Sequence, residues 1–377
     1  MQPNVVPFNR ASLVGPEFEY MQQAIASMHI SGNGPFSRRC EAILETALGV
    51  PKVLLTTSCT HAIEMAAMLL NLDAGDEVIV PSFTFVTTVI PFVLRGARPV
   101  FVDVRPDTLN LDERLVAAAV TPRTRAIVPV HYAGVACNMD ALCATGTAHG
   151  AAVIEDNAHG LFGRYRGRPL GSIGSLATLS FHETKNFTCG EGGALIINDP
   201  GQVERAEILR EKGTDRSRFF RGQVDKYTWV DIGSSYIPSE ILAAFLLAQL
   251  EAREAIQAKR RRLWEYYDGA LAAWADARGV RRPVVPASCE QSYHMYYLLF
   301  PSLDARQRTI ARLRERGVEA VFHYQALHLS EMGRRFGGAE GQCPVTERLA
   351  DCLLRLPFFN DMTTDQQARV VAALQDS

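Results

Sequence analysis

The chain has little charge imbalance, no clustered cysteines, no long apolar run and very few lysines, and each shortage excludes something. Thirty-nine basic residues against 41 acidic ones leave a formal net charge of -2 over 377 residues. No global field therefore draws the chain to nucleic acid or to an anionic membrane, and any anion it binds must be held by a local site. Eight cysteines, among them Cys40, Cys59, Cys137, Cys143 and Cys189, are scattered with no CxxC pair. No histidine joins them at zinc-site spacing, so they read as small buried hydrophobes in a reducing cytosol, and no metal is expected. The opening segment MQPNVVPFNR has no basic start followed by an apolar core, which predicts no secretory signal. The most apolar windows, such as Phe83 to Leu94, fall short of the ~20 residues that span a bilayer. A cytoplasmic protein with no membrane or nucleic-acid partner is the expectation. The basic run Lys259 to Arg262 agrees with it, since Leu263 and Trp264 beside it mark a solvated helix face.

What is present is a long globular chain, 47% hydrophobic and 21% charged, of a length that suggests two domains. From residue 52 to about 160, apolar strand-length runs alternate with segments of helical period. Lys52–Thr56 precedes an amphipathic stretch from Thr60 to Leu72, and Glu77–Val80 precedes a helical segment from Phe85 to Arg95. Pro99–Asp103 leads to the helix Asp112–Val120, Ala126–Val130 to Met139–Ala148, and Ala151–Ile154 runs into Glu155 and Asp156. Strands that are apolar throughout belong to a parallel sheet covered on both faces by helices. Pro129 weakens the fourth strand.

Two more strands, Leu176–Phe181 and Gly193–Ile197, are joined by a Gly-rich segment too short for a helical crossover, so one of them runs antiparallel to the rest. From Ser239 to about Arg278 the pattern is helical. Strand-like Met295–Phe300 and Val318–Tyr324 follow. The expected fold is therefore α/β: a mostly parallel mixed sheet sandwiched by helices over residues 1–250, with a smaller α+β domain over 251–377.

In such sheets ligands bind beyond the carboxyl ends of the strands. After the first strand stands Thr57-Ser-Cys-Thr60, directly before a helix. Hydroxyls and free amides there suit a phosphate, although the same residues make an ordinary N-cap. After the second stands Pro81-Ser-Phe-Thr-Phe85, whose terminal ring can lie against a planar group or pack in the core. After the fifth come Glu155 and Asp156, then His159. Carboxylates there need a cationic or hydrogen-bonding partner, or else a helix cap or surface loop. The most specific stretch is Ser180-Phe-His-Glu-Thr-Lys185-Asn186, followed by Cys189-Gly-Glu-Gly-Gly193. Of only five lysines, Lys185 alone follows an apolar strand at the ligand-binding edge and precedes a Gly-rich turn. A lysine withdrawn from water has a lowered pKa, and its neutral amine attacks aldehydes. An amine, a carboxylate for a pyridinium, a helix end for a phosphate and a ring to stack together form the set that pyridoxal phosphate requires. A dinucleotide would require GxGxxG after the first strand, and Thr57–Thr60 occupies that place.

Four stretches carry a family resemblance: Pro81–Val86, Val128-Pro-Val-His-Tyr-Ala-Gly134, Ser180–Asn186 and Phe219-Phe-Arg-Gly-Gln-Val-Asp-Lys-Tyr-Thr-Trp229. With them the chain, from Val6 to Phe358, resembles the DegT/DnrJ/EryC1/StrS sugar aminotransferases, which are fold-type I pyridoxal-phosphate enzymes. The resemblance implies that Lys185 carries the cofactor, Asp156 partners its pyridine nitrogen, Phe85 stacks on it and His159 contacts its phenolic oxygen. Cys59, Thr60 and Ser180 would hold its phosphate, with Cys59 standing where the family usually has glycine. Ser235 stands where the family usually has an asparagine donated by a neighbouring subunit, which implies at least a homodimer. The implied reaction moves an amino group from L-glutamate to C4 of a nucleotide-linked 4-keto-6-deoxy sugar, TDP-4-keto-6-deoxyglucose, for cell-surface polysaccharide. Arg218, Arg221 and Lys226 are candidates for its diphosphate, although each could as well belong to a plain surface loop. Two alternatives remain: a sugar dehydratase of the same fold, against which Lys185 argues because such relatives carry histidine there, and a non-catalytic scaffold, against which the Lys185–Asp156 pair argues.

Overall fold

Alternating apolar residues along each strand bury opposite faces, and that builds the layers. A computed structural model describes residues 5–376; the first four residues of the segment read for a leader, Met1 to Asn4, lie outside them. The central sheet has seven strands: β1 Lys52–Thr56, β2 Glu77–Pro81, β3 Arg98–Val102, β4 Thr124–Ile127, β5 Ala152–Asp156, β6 Leu176–Ser180 and β7 Gly193–Ile197. Their order across the sheet is β1-β7-β6-β5-β4-β2-β3. Only β7 runs antiparallel to its neighbours β1 and β6, while the remaining pairs are parallel.

On one face Leu54, Val78, Val80, Ile154 and Leu195 pack with the helix Cys59–Leu69. On the other, Val53, Leu55, Leu179 and Ile196 meet helices Pro35–Leu48 and Glu240–Glu251, and Ile79, Ile127 and Val153 meet helix Met139–His149. Both faces are thus covered, which is why these strands read as continuous apolar runs.

Two expected elements differ. The segment Phe85–Arg95 forms only a single turn, Val86–Thr88, and the short helix Ile90–Leu94. Pro91 has no amide to bond back across that junction, so one continuous helix cannot form. The strand expected over Val318–Tyr324 is reduced to isolated bridges, Val318 with Val6 and Val321 with Arg355. Beyond Val321 the chain leaves the ladder, and His323 and Tyr324 turn into a cavity.

The helical stretch after Ser239 breaks at Ala252 and continues as Arg253–Ala277. A second core then gathers Leu263, Tyr267, Leu271, Tyr296, Leu298, Leu354 and Leu374, and includes Val6 from the amino-terminal segment. Its small antiparallel ladder pairs β8, Tyr297–Leu299, with β9, Leu353–Arg355. Phe83, Tyr132, Met295, Tyr297 and Leu353 pack into one further cluster that joins this core to the large sheet.

Candidate active site

The carboxyl ends of β2, β5 and β6 and the turn after β1 open into one cavity of about 580 Å³. Cys59, Thr60, Phe85, Asp156, His159, Ser180 and Lys185 all line it. Residues that the sequence separates by up to 126 positions therefore share one wall system.

At one end the turn after β1 is capped by Ser58, whose Oγ accepts the amide of His61 at 3.1 Å. Cys59 and Thr60 are the first residues of the following helix, and its opening amides have no partner within the helix. Ser180, at the end of β6, completes this corner. Glycine is required opposite it. A Cβ on Gly193 would sit 2.3 Å from the Ser58 carbonyl carbon and 2.4 Å from the Cys59 nitrogen. The Cys59 thiol is pushed up to about 12 by burial, so it sits in the corner as a neutral group.

Glu155 and Asp156 lie on opposite faces of β5, and their surroundings separate their roles. Glu155 accepts hydrogen bonds from His131 Nε2 at 2.8 Å and from the amides of Gly171, Ile173 and Gly174 at 2.7–2.9 Å. The Cys137 amide donates to His131 Nδ1, which places the ring proton on Nε2. Burial alone would raise the Glu155 pKa, but His131 and these amides hold it below the ordinary carboxylate value. Glu155 is thus a structural anchor. Asp156 faces the cavity, and Thr88 Oγ1 donates to its Oδ2 at 2.7 Å while the Ala158 amide donates to Oδ1 at 3.2 Å. Because Thr88 gives its only proton to Asp156, Thr84 must donate to Thr88, at 2.8 Å.

Lys185 stands in the same cavity. Burial lowers its amine from 10.5 to about 8, Arg355 adds to the drop and Asp156 opposes it. At neutral pH an appreciable fraction of it is therefore a free nucleophile.

The far wall comes from the second core and was not foreseen from the sequence. His294, His323, Tyr324 and Arg355 all line the cavity. His159 stacks on His294 at 4.2 Å and 15°, and His323 stacks on Tyr324 at 3.5 Å. Burial drives all three imidazoles well below their ordinary pKa, so they are neutral. His294 donates from Nδ1 to Asn186 Oδ1 at 2.8 Å, while His159 Nδ1 is buried with no partner. A lone arginine inside the apolar run Leu353-Leu-Arg355-Leu356 is the one sequence signal that could have pointed to this wall.

The remaining sequence candidates lie elsewhere. Ser235 is exposed and lines a separate cavity of about 620 Å³ with Asn33, Arg38, Lys212 and Arg216. Arg218 pairs with Glu204 and Arg221 with Glu207, Lys226 is exposed, and none of the three lines the Lys185 cavity of its own chain. Among the described residues no group of three or more His, Cys, Asp or Glu could hold a metal, and no helix is long and apolar enough to cross a membrane.

The donor set fits pyridoxal phosphate at each end. It has an amine of lowered pKa, a carboxylate oriented by Thr88, a helix start narrowed by Gly193 and the unpartnered nitrogen of His159. This sheet order with this cavity defines a fold-type I pyridoxal-phosphate enzyme. The sequence model of the DegT/DnrJ/EryC1/StrS aminotransferase family matches residues 13–375, and the chain belongs to that family. Solved structures agree. The aminotransferase TlmJ from Streptoalloteichus hindustanus is 30% identical, with 98% of each chain covered and a TM-score of 0.90. DesV from S. venezuelae is 31% identical over 99% of this chain and 98% of that one, with a TM-score of 0.89. Spr1654 from Streptococcus pneumoniae, described as a sugar aminotransferase and solved in PMP form, is 25% identical over 98% of each chain, with a TM-score of 0.91. The protein is a pyridoxal-phosphate-dependent aminotransferase.

Proposed function

We propose that the protein transfers an amino group from L-glutamate to C4 of a nucleotide-linked 4-keto-6-deoxy sugar. The specific reading is TDP-4-keto-6-deoxyglucose as acceptor and TDP-4-amino-4,6-dideoxygalactose as product, made in the cytoplasm for cell-surface polysaccharide. The observation that carries the aminotransfer is the meeting of Lys185 and Asp156 in one cavity of ligand-binding size. The sugar class is supported by the motif resemblance and by the description of Spr1654 as a sugar aminotransferase.

Pyridoxal phosphate, when bound, supplies the aldehyde carbon that receives the amino group and the ring that takes up negative charge from the donor's Cα. The chain's own residues do the rest. The amides of Cys59 and Thr60 and the Ser180 hydroxyl hold the phosphate at the helix start. Asp156, held in place by Thr88, keeps a proton on the ring nitrogen. His159 would contact the phenolic oxygen, and Phe85, 55% exposed in the cavity lining, would stack on the ring. Lys185 carries the group at rest. Once released, its amine takes the proton from the donor's Cα, and in the second half of the cycle it runs the transfer in reverse on the sugar.

In this reading residues 1–250 hold the cofactor and residues 251–377 supply the opposite wall. The homodimer brings Ser235 to the neighbour's phosphate corner, and Arg218, Arg221 and Lys226 to the neighbour's sugar diphosphate. An exposed aromatic surface around them supports a partner copy, with Trp229 77% and Phe220 67% exposed.

The test is incubation of the protein with TDP-4-keto-6-deoxyglucose and L-glutamate, with the product assigned by NMR. A C4 amine with the galacto configuration is expected, and Lys185→Ala should abolish it. Loss of the sugar hydroxyl at C3 with no nitrogen gained would instead identify a dehydratase. No change in sugar or glutamate would refute this acceptor and donor.

A further inference from the structure

The three residues Ser292-Tyr293-His294 stand just before β8, and two of them hold His159, one by its backbone and one by its ring. Ser292, fully buried, donates from Oγ to the His159 carbonyl oxygen, and its amide donates to the Gly134 oxygen at 3.1 Å. Gly134 has to be glycine for that approach: it sits at φ +85°, and a Cβ there would lie 1.9 Å from Ser292 Oγ. His294 lays its ring on the His159 ring at 4.2 Å and 15°. Between these two grips Tyr293 takes φ +53°, a left-handed conformation that costs energy in a residue with a side chain. Such strain persists only where the surroundings enforce it.

The enforcement comes from Arg260 and Asn186. Arg260 donates from Nε to the Tyr293 oxygen at 2.9 Å and from Nη2 to the His294 oxygen, while its Nη1 reaches Asn360 Oδ1 at 2.6 Å. Asn360 Nδ2 in turn donates to the Asn186 oxygen at 3.1 Å. The Asn186 side chain has a defined orientation: its Nδ2 donates to the Ser292 oxygen at 2.7 Å, so its Oδ1 is the acceptor for His294. The His294 proton therefore sits on Nδ1 and is committed to Asn186. Burial first, and then the neighbouring His159, Lys185, Arg260 and Arg355, keep a second proton off the ring. His294 has no proton to give in the cavity, and what it offers His159 is a flat, fixed surface. The torsion that turns a histidine ring has only a broad preference of its own. Against a parallel ring at 4.2 Å, any turn of the His159 ring out of its plane drives its edge into His294. Tyr132 meets the same ring edge-on at 5.9 Å and 67°.

We propose that His294 is a positioning residue, a backing plate that fixes the ring plane of His159 and so aims His159 Nδ1 at the phenolic oxygen of the cofactor. The inference rests on the contact given to His159 under the proposed function and adds what makes that contact directional. His159 Nδ1 is buried with no partner in the chain, and a nitrogen that meets an anionic oxygen has to carry the proton. A hydrogen bond to the anionic form of a group lowers its pKa. A His159 ring held in plane thus keeps the phenolic oxygen ionised to lower pH, and a loose ring does not.

The experiment uses two variants that divide the contacts of His294. His294→Asn keeps a donor for Asn186 and loses the ring, whereas His294→Phe keeps a flat ring and loses the donor. In the cofactor-loaded protein the visible absorbance band is followed against pH. His159→Phe and His294→Asn are each expected to raise the midpoint by roughly one pH unit, the worth of one hydrogen bond to a charged oxygen. His294→Phe should raise it by less than half as much. The double variant His159→Phe/His294→Asn should titrate as His159→Phe does alone, because His294 acts through His159. In crystals of the cofactor-free protein the His159 ring should keep its wild-type plane in His294→Phe and turn out of it in His294→Asn. Should His294→Asn fail to fold, His294→Leu, which has neither the ring nor a buried polar group to satisfy, replaces it in both measurements.

An unmoved midpoint in His294→Asn, where His159→Phe does shift it, overturns the proposal. So does a shift in His294→Phe as large as in His294→Asn, because the bond to Asn186 and not the ring would then be responsible. A further shift in the double variant also overturns it, since His294 would then act by another route. If His159→Phe itself leaves the midpoint in place, the His159 contact under the proposed function fails. The cofactor-free crystals then still decide on His294: a His159 ring in its wild-type plane in His294→Asn overturns the backing role.

Discussion

At pH 7.5 an amine with a pKa of about 8 is roughly one-quarter neutral, whereas an ordinary lysine is roughly one part in a thousand neutral. The sequence makes this testable one residue at a time, because it has only five lysines. With lysine labelled at Cε with carbon-13, the cofactor-free protein should give a spectrum simple enough to assign Lys185 by its loss in Lys185→Met. Its shift should titrate near pH 8. In Asp156→Asn the midpoint should move lower, since the carboxylate opposes the effect of burial. In Arg355→Gln it should move higher, since a repelling cation is gone. The stability consequence has a definite sign. A lysine whose pKa is lower folded than unfolded disfavours the fold while it is charged, fully so below about pH 8. The penalty fades as pH rises toward 10.5, the ordinary value. The difference between the two values corresponds to ~3 kcal/mol at most. Lys185→Met should therefore stabilise the cofactor-free protein at pH 7 by up to ~3 kcal/mol in urea unfolding, with the gain vanishing above pH 10.5. A Lys185 midpoint at 10.5, or an upward shift in Asp156→Asn, would refute the account of how this amine is activated.

Other residues make separate predictions. Glu155→Gln leaves His131 and three backbone amides without their anion, so unfolding free energy should fall by roughly 3–5 kcal/mol in a denaturant titration. In the wild type the Glu155 contribution should be present at neutral pH and be lost only as pH drops below about 4.5, through its depressed folded value. Gly193→Ala drives a methyl group into the Ser58–Cys59 peptide, and cofactor affinity measured by fluorescence titration should drop at least tenfold while the rest of the fold persists. Thr88→Val removes the donor to Asp156, and the rate of the glutamate half-reaction should fall by about tenfold with the melting temperature little changed.

The large domain was legible because its information is local. Leu54, Val80, Ile127 and Ile154 sit in runs whose length and apolarity demand a two-sided parallel sheet, and the short Gly-rich link before Gly193 already required one reversed strand. Lys185, Asp156 and the Thr57–Thr60 turn stood out because strand ends concentrate ligand contacts in such sheets. The strand expected over Val318–Tyr324 illustrates the limit. Its residues are β-formers, yet its pairing depends on partners more than 30 positions away, Arg355 in one direction and Val6 in the other.

The choice between Glu155 and Asp156 shows the same division at a single step of the chain. Adjacent carboxylates are equivalent as letters, and the pleat alone sends them to opposite faces. Which face meets His131 and three amides, and which meets Thr88 and Lys185, depends on the helices and loops packed on each side. The cavity's second wall follows the same logic. Hydrophobic periodicity specifies which side chains are buried but not which distant ones become neighbours. The stacking of His294 on His159 and the delivery of Arg355 to the cofactor cavity arise only when the second core closes against the sheet.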